Sequence, residues 1–171
     1  MYKQIIIILL LVFQLPLVAK NITRKEFLLE ALYGDTSTAI AKTLWLNKDL
    51  QSKFIAVLEH PYPKLRLRYW KHTAHNQTIW FLDEIGKERP ISFGVSVINN
   101  RIEIIKVLAF RESRGGEISM ISFSEQFHQI GLDKDNKLDQ HIDGISGATM
   151  SVIAMKKIAK LGLILHKEVM L

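Results

Sequence analysis

Between residues 65 and 110 apolar side chains recur at every second position, and on either side of that block they recur at helical spacing. Leu65, Leu67 and Tyr69 alternate with Arg66, Arg68 and Trp70, the signature of a strand. Residues 78–85 and 90–98 repeat the habit. Asn99-Asn100 then forms a tight-turn pair leading into residues 101–110, so the last two strands are expected to pair as a hairpin. Upstream, Thr23-Arg-Lys-Glu26 reads as a capping box that opens a helix carrying Phe27, Leu28 and Leu32. Residues 34–38 punctuate, and residues 39–58 read as continued helix with a break near Asn47-Lys-Asp49. His60-Pro-Tyr-Pro63 ends it, because proline has no amide to donate and restricts its predecessor. Downstream of Arg111 the pattern predicts a glycine-containing loop, a short helix over residues 122–130 and a polar loop to Gly147. A last helix over residues 149–165 carries Val152, Met155, Ile158, Ala159, Gly162 and Leu165 on one stripe. The expected class is α+β: N-terminal helices, an antiparallel sheet and a closing C-terminal helix.

The chain has 171 residues, enough for one core, and its 23% charged residues exclude wholesale disorder. It has no cysteine, which removes disulfides, thiolate metal sites, iron–sulfur clusters, thiol nucleophiles and covalent c-type haem. Lys3 followed by the apolar run Ile5–Phe13, with Pro16 and Ala19 beyond it, reads as an export signal over residues 1–19. An uncleaved N-terminal anchor is the alternative. Either places the body of the protein in the periplasm or at the outer face of the cytoplasmic membrane, away from nucleic acid. Residues 20–63 then form an N-terminal helical segment, and residues 64–171 the functional domain.

The candidate chemistry sits in Asp143-Gly-Ile-Ser-Gly-Ala-Thr149, immediately before the last helix. Gly144, Ser146, Gly147 and Ala148 leave the backbone uncovered, and Thr149 stands where free helix amides and the helix dipole favour an anion such as phosphate. An ordinary helix cap by Ser146 or Thr149 is the structural alternative. Asp143 fits either an orienting role for the loop or a metal contact.

These residues resemble the attachment motif of the FMN-binding domain family, which includes flavin subunits of the sodium-pumping NADH:quinone reductase and the Rnf-type complex. Arg111-Glu-Ser-Arg-Gly-Gly-Glu117 is similar to that family's Glu-Thr/Ser-x-Gly loop, and Gln126-Phe127 matches a Gln-Phe pair preceding the attachment loop. The similarity runs from about Trp80 to Leu165. It implies FMN joined by a phosphoester to Thr149, donated from FAD by a flavin transferase. It also implies that Asp143, Gly144, Ser146, Gly147, Ala148, Glu112, Ser113 and Gly115 surround the cofactor. Arg114 stands where several relatives have proline, and Met150-Ser151 departs from the family's apolar-Thr-Ser continuation.

The resemblance implies an exported electron carrier that works between a membrane or quinol-linked donor and a redox partner such as a cytochrome or membrane electron-transport complex. A small-molecule reductase using the same flavin, and a non-flavinylated accessory binding protein, are the competing readings. Arg111 and Arg114 are candidates to favour a reduced flavin. Trp80, Phe81 and Phe127 are candidates to pack on the ring, with core positions expected for at least two of them. His72-x-x-His75 lacks a legible third metal ligand and reads as exposed histidines. Residues 133–143 lack the glycine and glutamate of a calcium loop. The basic segment at residues 64–75 reads as a solvated strand face or a docking patch for an acidic redox partner.

Overall fold

The computed structural model describes Ile22 to Met170 apart from Thr73, and the leader expected at residues 1–19 lies outside the described residues. Helix α1 (Arg24–Ala31) opens with the capping box: Thr23 Oγ1 accepts the Glu26 amide at 3.1 Å, and Glu26 Oε2 accepts the Thr23 amide at 2.7 Å. The remaining elements are β1 (Ala39–Trp45), α2 (Lys48–Leu58), β2 (Arg66–His72), β3 (Gln77–Ile85), β4 (Pro90–Ile98), β5 (Arg101–Ala109), the one-turn helix α3 (Ile121–Ser124) and α4 (Thr149–Met170). The five strands form one antiparallel sheet in the order β1-β2-β3-β4-β5. The architecture is α+β.

Two expectations need correction. Residues 39–45 are a strand, not helix, so the N-terminal segment is not wholly helical. The run Ala-Ile-Ala-Lys-Thr-Leu-Trp has ordinary helix formers, but it pairs along its whole length with β2, from Ala39 opposite His72 to Trp45 opposite Arg66. Helix α2 begins only after it, with Asn47 Oδ1 accepting the Leu50 amide as N-cap at 2.8 Å. Second, the helix expected over residues 122–130 is a single α-turn followed by a 3₁₀ turn at Glu125–Phe127.

The sheet's inner face carries Tyr69, Trp80, Leu82, Phe93, Val95 and Ile105 into the main core beneath α2 and α4. Tyr69 and Trp80 stack there with ring centroids 4.5 Å apart. Side chains of this size contribute roughly 1.5–3 kcal/mol each on full burial. The outer face presents Ile79 and Phe81 to Phe27 and Ala31 of α1. Close approach is needed on both faces. A Cβ on Gly94 would lie 2.8 Å from the Phe27 ring, and one on Gly162 2.8 Å from Val95 Cγ1, so bare glycines let α1 and α4 seat on the sheet.

Helix α4 runs from the end of the sheet where β5 exits to the β4–β5 turn at the other end. There the fully buried His166 meets Thr78 Oγ1 through Nδ1 at 2.8 Å and accepts the Asn100 amide through Nε2 at 3.4 Å. Trp80 Nε1 donates to the same Thr78 hydroxyl at 2.8 Å. An accepting Nε2 assigns the ring proton to Nδ1. Burial, with the nearby Lys71 charge, pushes the His166 pKa down to about 4.

Candidate functional site

The loop that follows β5 folds back onto the first turn of α4. Gly115 adopts φ +89°, a left-handed conformation that favours glycine, and a Cβ there would lie 2.6 Å from Ser151 Oγ and 3.4 Å from Ala148 Cβ. The two segments singled out by sequence, Glu112–Gly115 and Ser146–Thr149, are therefore neighbours. Between them lies an open cleft of about 1290 Å³, lined by the apolar side chains of Phe110, Met120 and Ile121 and by Ser113, Arg114, Ser119, Ser122, Ser146 and Gly147.

The loop before α4 is fixed from three directions. The Asp143 amide donates to Gln126 Oε1 at 2.8 Å, and Lys156 Nζ donates to the Ile142 carbonyl at 2.8 Å. The Ala148 amide closes a turn onto the Ile145 carbonyl at 3.0 Å, with Gly147 at φ +80° supplying the left-handed third position of a type II turn. Gly144 and Gly147 have open space where a Cβ would stand, so the backbone is uncovered on the cleft side.

Helix α4 starts without a side-chain cap. Ala148 stands before its first residue and has no acceptor, and among the described residues neither Ser146 nor Thr149 makes a side-chain hydrogen bond. The first intrahelical bond at this end runs from the Val152 amide to the Ala148 carbonyl at 3.0 Å, leaving the preceding amides of the first turn orphaned. The ordinary capping alternative thus has no hydrogen bond to support it. Thr149 is exposed, its hydroxyl is unengaged, and it sits at the positive end of a 22-residue helix.

Other candidates fall elsewhere. Glu112 borders the cleft, but its Oε1 accepts the Glu88 and Arg89 amides at 2.8 and 2.9 Å, tying down the β3–β4 connection. Those amides, Arg89 first, hold its carboxyl below the usual carboxylate range. Arg111 Nη1 donates to the Pro90 carbonyl at 3.0 Å and to Ser92 Oγ at 3.1 Å, away from the cleft, whereas Arg114 lines it. The Asp143 carboxylate is solvent-exposed, 3.6 Å from His141 Nε2. Trp80, Phe81 and Phe127 are all core residues, and none borders the cleft. His72 Nδ1 accepts the Ala74 and His75 amides at 3.0 and 3.2 Å, a turn-capping role. Asp133 Oδ1 does the same for Asp135 and Lys137 at 2.9 and 2.8 Å.

Sequence reading missed the apolar wall. Met120 and Ile121 are 53% and 66% exposed, and they stand at the start of the one-turn helix α3, too short for periodicity to mark their direction. It also missed the Lys156 latch, one of several lysines off the α4 stripe. Only the polar loop's need for an anchor hinted at it.

The donor set fits an FMN. Apolar side chains, hydroxyls, uncovered glycine backbone and one guanidinium line a cleft of cofactor size, and Thr149, two residues beyond the lining Gly147, opens the helix whose first amides are orphaned. Comparison agrees on the cofactor: residues 86–163 match the model of the FMN-binding domain. No curated protein matches the chain.

Proposed function

Because the chain carries an FMN-binding domain over residues 86–163, we propose that it is an exported flavoprotein electron carrier whose FMN is bonded through phosphate to Thr149. The observation that carries this reading is the unengaged, exposed Thr149 hydroxyl at an uncapped helix N-terminus, two residues past Gly147, which lines the cleft. In the attachment step a flavin transferase binds FAD. The Thr149 oxygen forms a new bond to the FMN phosphorus, the pyrophosphate bond breaks, AMP leaves, and the hydroxyl proton is released.

The chain's own part is to present and then hold. The type II turn at residues 145–148 and the Gln126 and Lys156 latches fix where Thr149 projects. The orphaned amides of α4 are placed to donate to a phosphodiester on that side chain. Phe110, Met120 and Ile121 offer an apolar wall for a planar ring, and Arg114 offers positive charge that favours an anionic reduced ring. A bound flavin accepts two electrons together and releases them singly, which suits a relay between a quinol-linked or membrane donor and a one-electron acceptor such as a cytochrome. The ionisable groups bordering the cleft are Glu112, Arg114 and Glu117, and Glu112 is committed to the hairpin amides. That supports a carrier over a substrate-reducing enzyme.

Co-expression with a flavin transferase, followed by ultraviolet fluorescence of the denatured band, tests the attachment. The wild type is expected to glow and Thr149→Ala to be dark. A dark wild type alongside a labelled positive-control substrate of the transferase would favour a non-flavinylated accessory protein.

A further inference from the structure

The outer face of the sheet is covered unequally. Helix α1 packs over β3, β4 and β5, and Ala39 and Trp70 pack against the same cluster, while Thr43 and Trp45 of β1 and Arg66 and Arg68 of β2 stay exposed. Register puts Thr43 beside Arg68 and Trp45 beside Arg66 on that open part. Trp45 is 64% exposed. Three guanidinium groups lie over aromatic rings of this face: Arg66 over Trp45 at 5.8 Å, Arg68 over Trp70 at 5.3 Å and Arg24 over Phe81 at 5.2 Å. A guanidinium stacked by its face keeps its N–H edge free for a phosphate or carboxylate fork. Among the described residues Arg66 and Arg68 have no carboxylate partner.

We propose that this β1–β2 face docks the protein on an anionic phospholipid surface, with Arg66 and Arg68 on lipid phosphates and Trp45 entering the interface. Two observations favour a bilayer over an acidic redox protein. First, the face lies at the β1 edge while the cleft lies beside β5, four strand spacings or ~19 Å across the sheet. A redox partner seated on it would sit away from the cofactor, whereas a membrane leaves the cleft free. Second, an exposed tryptophan beside arginines matches the layered chemistry of the interface, where an aromatic body is buried and its polar edge stays wet. The chain also enters the described structure on this side, through Ile22 packed against the outer-face cluster, with the apolar run Ile5–Phe13 shortly upstream in sequence. This inference does not depend on flavinylation.

The test is co-sedimentation of the full protein with phosphatidylcholine vesicles, with and without phosphatidylglycerol, together with tryptophan fluorescence. Phosphatidylglycerol should increase binding and shift the emission to the blue, and Trp45→Phe should remove the shift. Arg66→Glu with Arg68→Glu should weaken partitioning by about thirtyfold or more, from the loss of two favourable charges at the surface. Lys134→Glu with Lys137→Glu makes the same change in net charge on another exposed loop and should leave most binding intact. Equal losses in both pairs, no gain from phosphatidylglycerol, or retention on a polyaspartate column without vesicle binding would overturn the proposal. The last result would assign the face to an acidic protein. Melting curves of both double variants check that the comparison is between folded proteins.

Discussion

Gly115 and Ser151 meet so closely that a single added carbon on the first would lie 2.6 Å from the hydroxyl of the second. That contact joins the loop after β5 to the first turn of α4 and so sets the mouth of the cleft. Gly115→Ala combines a steric conflict with a φ of +89°, and is expected to destabilise the fold by about 1–3 kcal/mol. Urea unfolding measures this. Adding Ser151→Gly removes the collision but not the backbone strain, so the double variant should recover only part of the loss. Full recovery would show that conformation at Gly115 is unimportant.

The loop before α4 has its own latch. Gln126→Ala removes the acceptor for the Asp143 amide, with an expected stability loss of about 1 kcal/mol and slower flavin incorporation. Gln126→Glu keeps an acceptor oxygen and should label nearly as well as the wild type. If alanine and glutamate behave alike, the hydrogen bond does not position the loop.

The buried His166 makes stability depend on pH. Its pKa is about 4 in the folded chain against an ordinary value of 6.5, so between those values the unfolded state binds the extra proton. The contribution is complete above pH 6.5 and is lost as pH falls toward 4, to the extent of about 3 kcal/mol. Denaturation midpoints across that range should fall for the wild type. His166→Asn, which keeps a donor toward Thr78, should be less stable at pH 7 and flatter between pH 6.5 and 4. An equally steep variant would place the titration elsewhere.

Glu112 holds the β3–β4 connection through two amides. Glu112→Ala should speed hydrogen exchange at Glu88 and Arg89 while leaving the β4–β5 turn unchanged. Since its folded pKa is depressed, this restraint is present above the usual carboxylate range and is lost as pH falls through the lower folded value. Wild-type exchange at those amides, corrected for its intrinsic pH dependence, should therefore approach that of the variant only in acid.

Local chemistry made much of the fold legible. The Thr23–Glu26 capping box forms as read, β4 spans the residues its alternation marked, and Asn99 and Asn100 both take the positive φ of a hairpin turn. Strand β1 was illegible because most of its residues are exposed on both faces, so no alternation marks it. Its pairing with β2 decides the conformation against propensity. Helix α4 runs past Leu165 because the stripe continues through His166, a polar residue whose burial only its tertiary partners reveal. At the site, the glycines and Thr149 announced an uncovered loop before a helix. The fate of Glu112 and Arg111, which turn toward the hairpin and strand β4, depends on contacts between segments about 20 residues apart.

The proposed phosphoester at Thr149 is tested most directly by intact-mass measurement on protein co-expressed with an active flavin transferase. The account predicts one FMN-sized increment on the wild type, traced by fragmentation to the peptide containing Thr149, and the bare mass for Thr149→Ala. An unmodified wild type, or an increment that survives in the alanine variant, would contradict it.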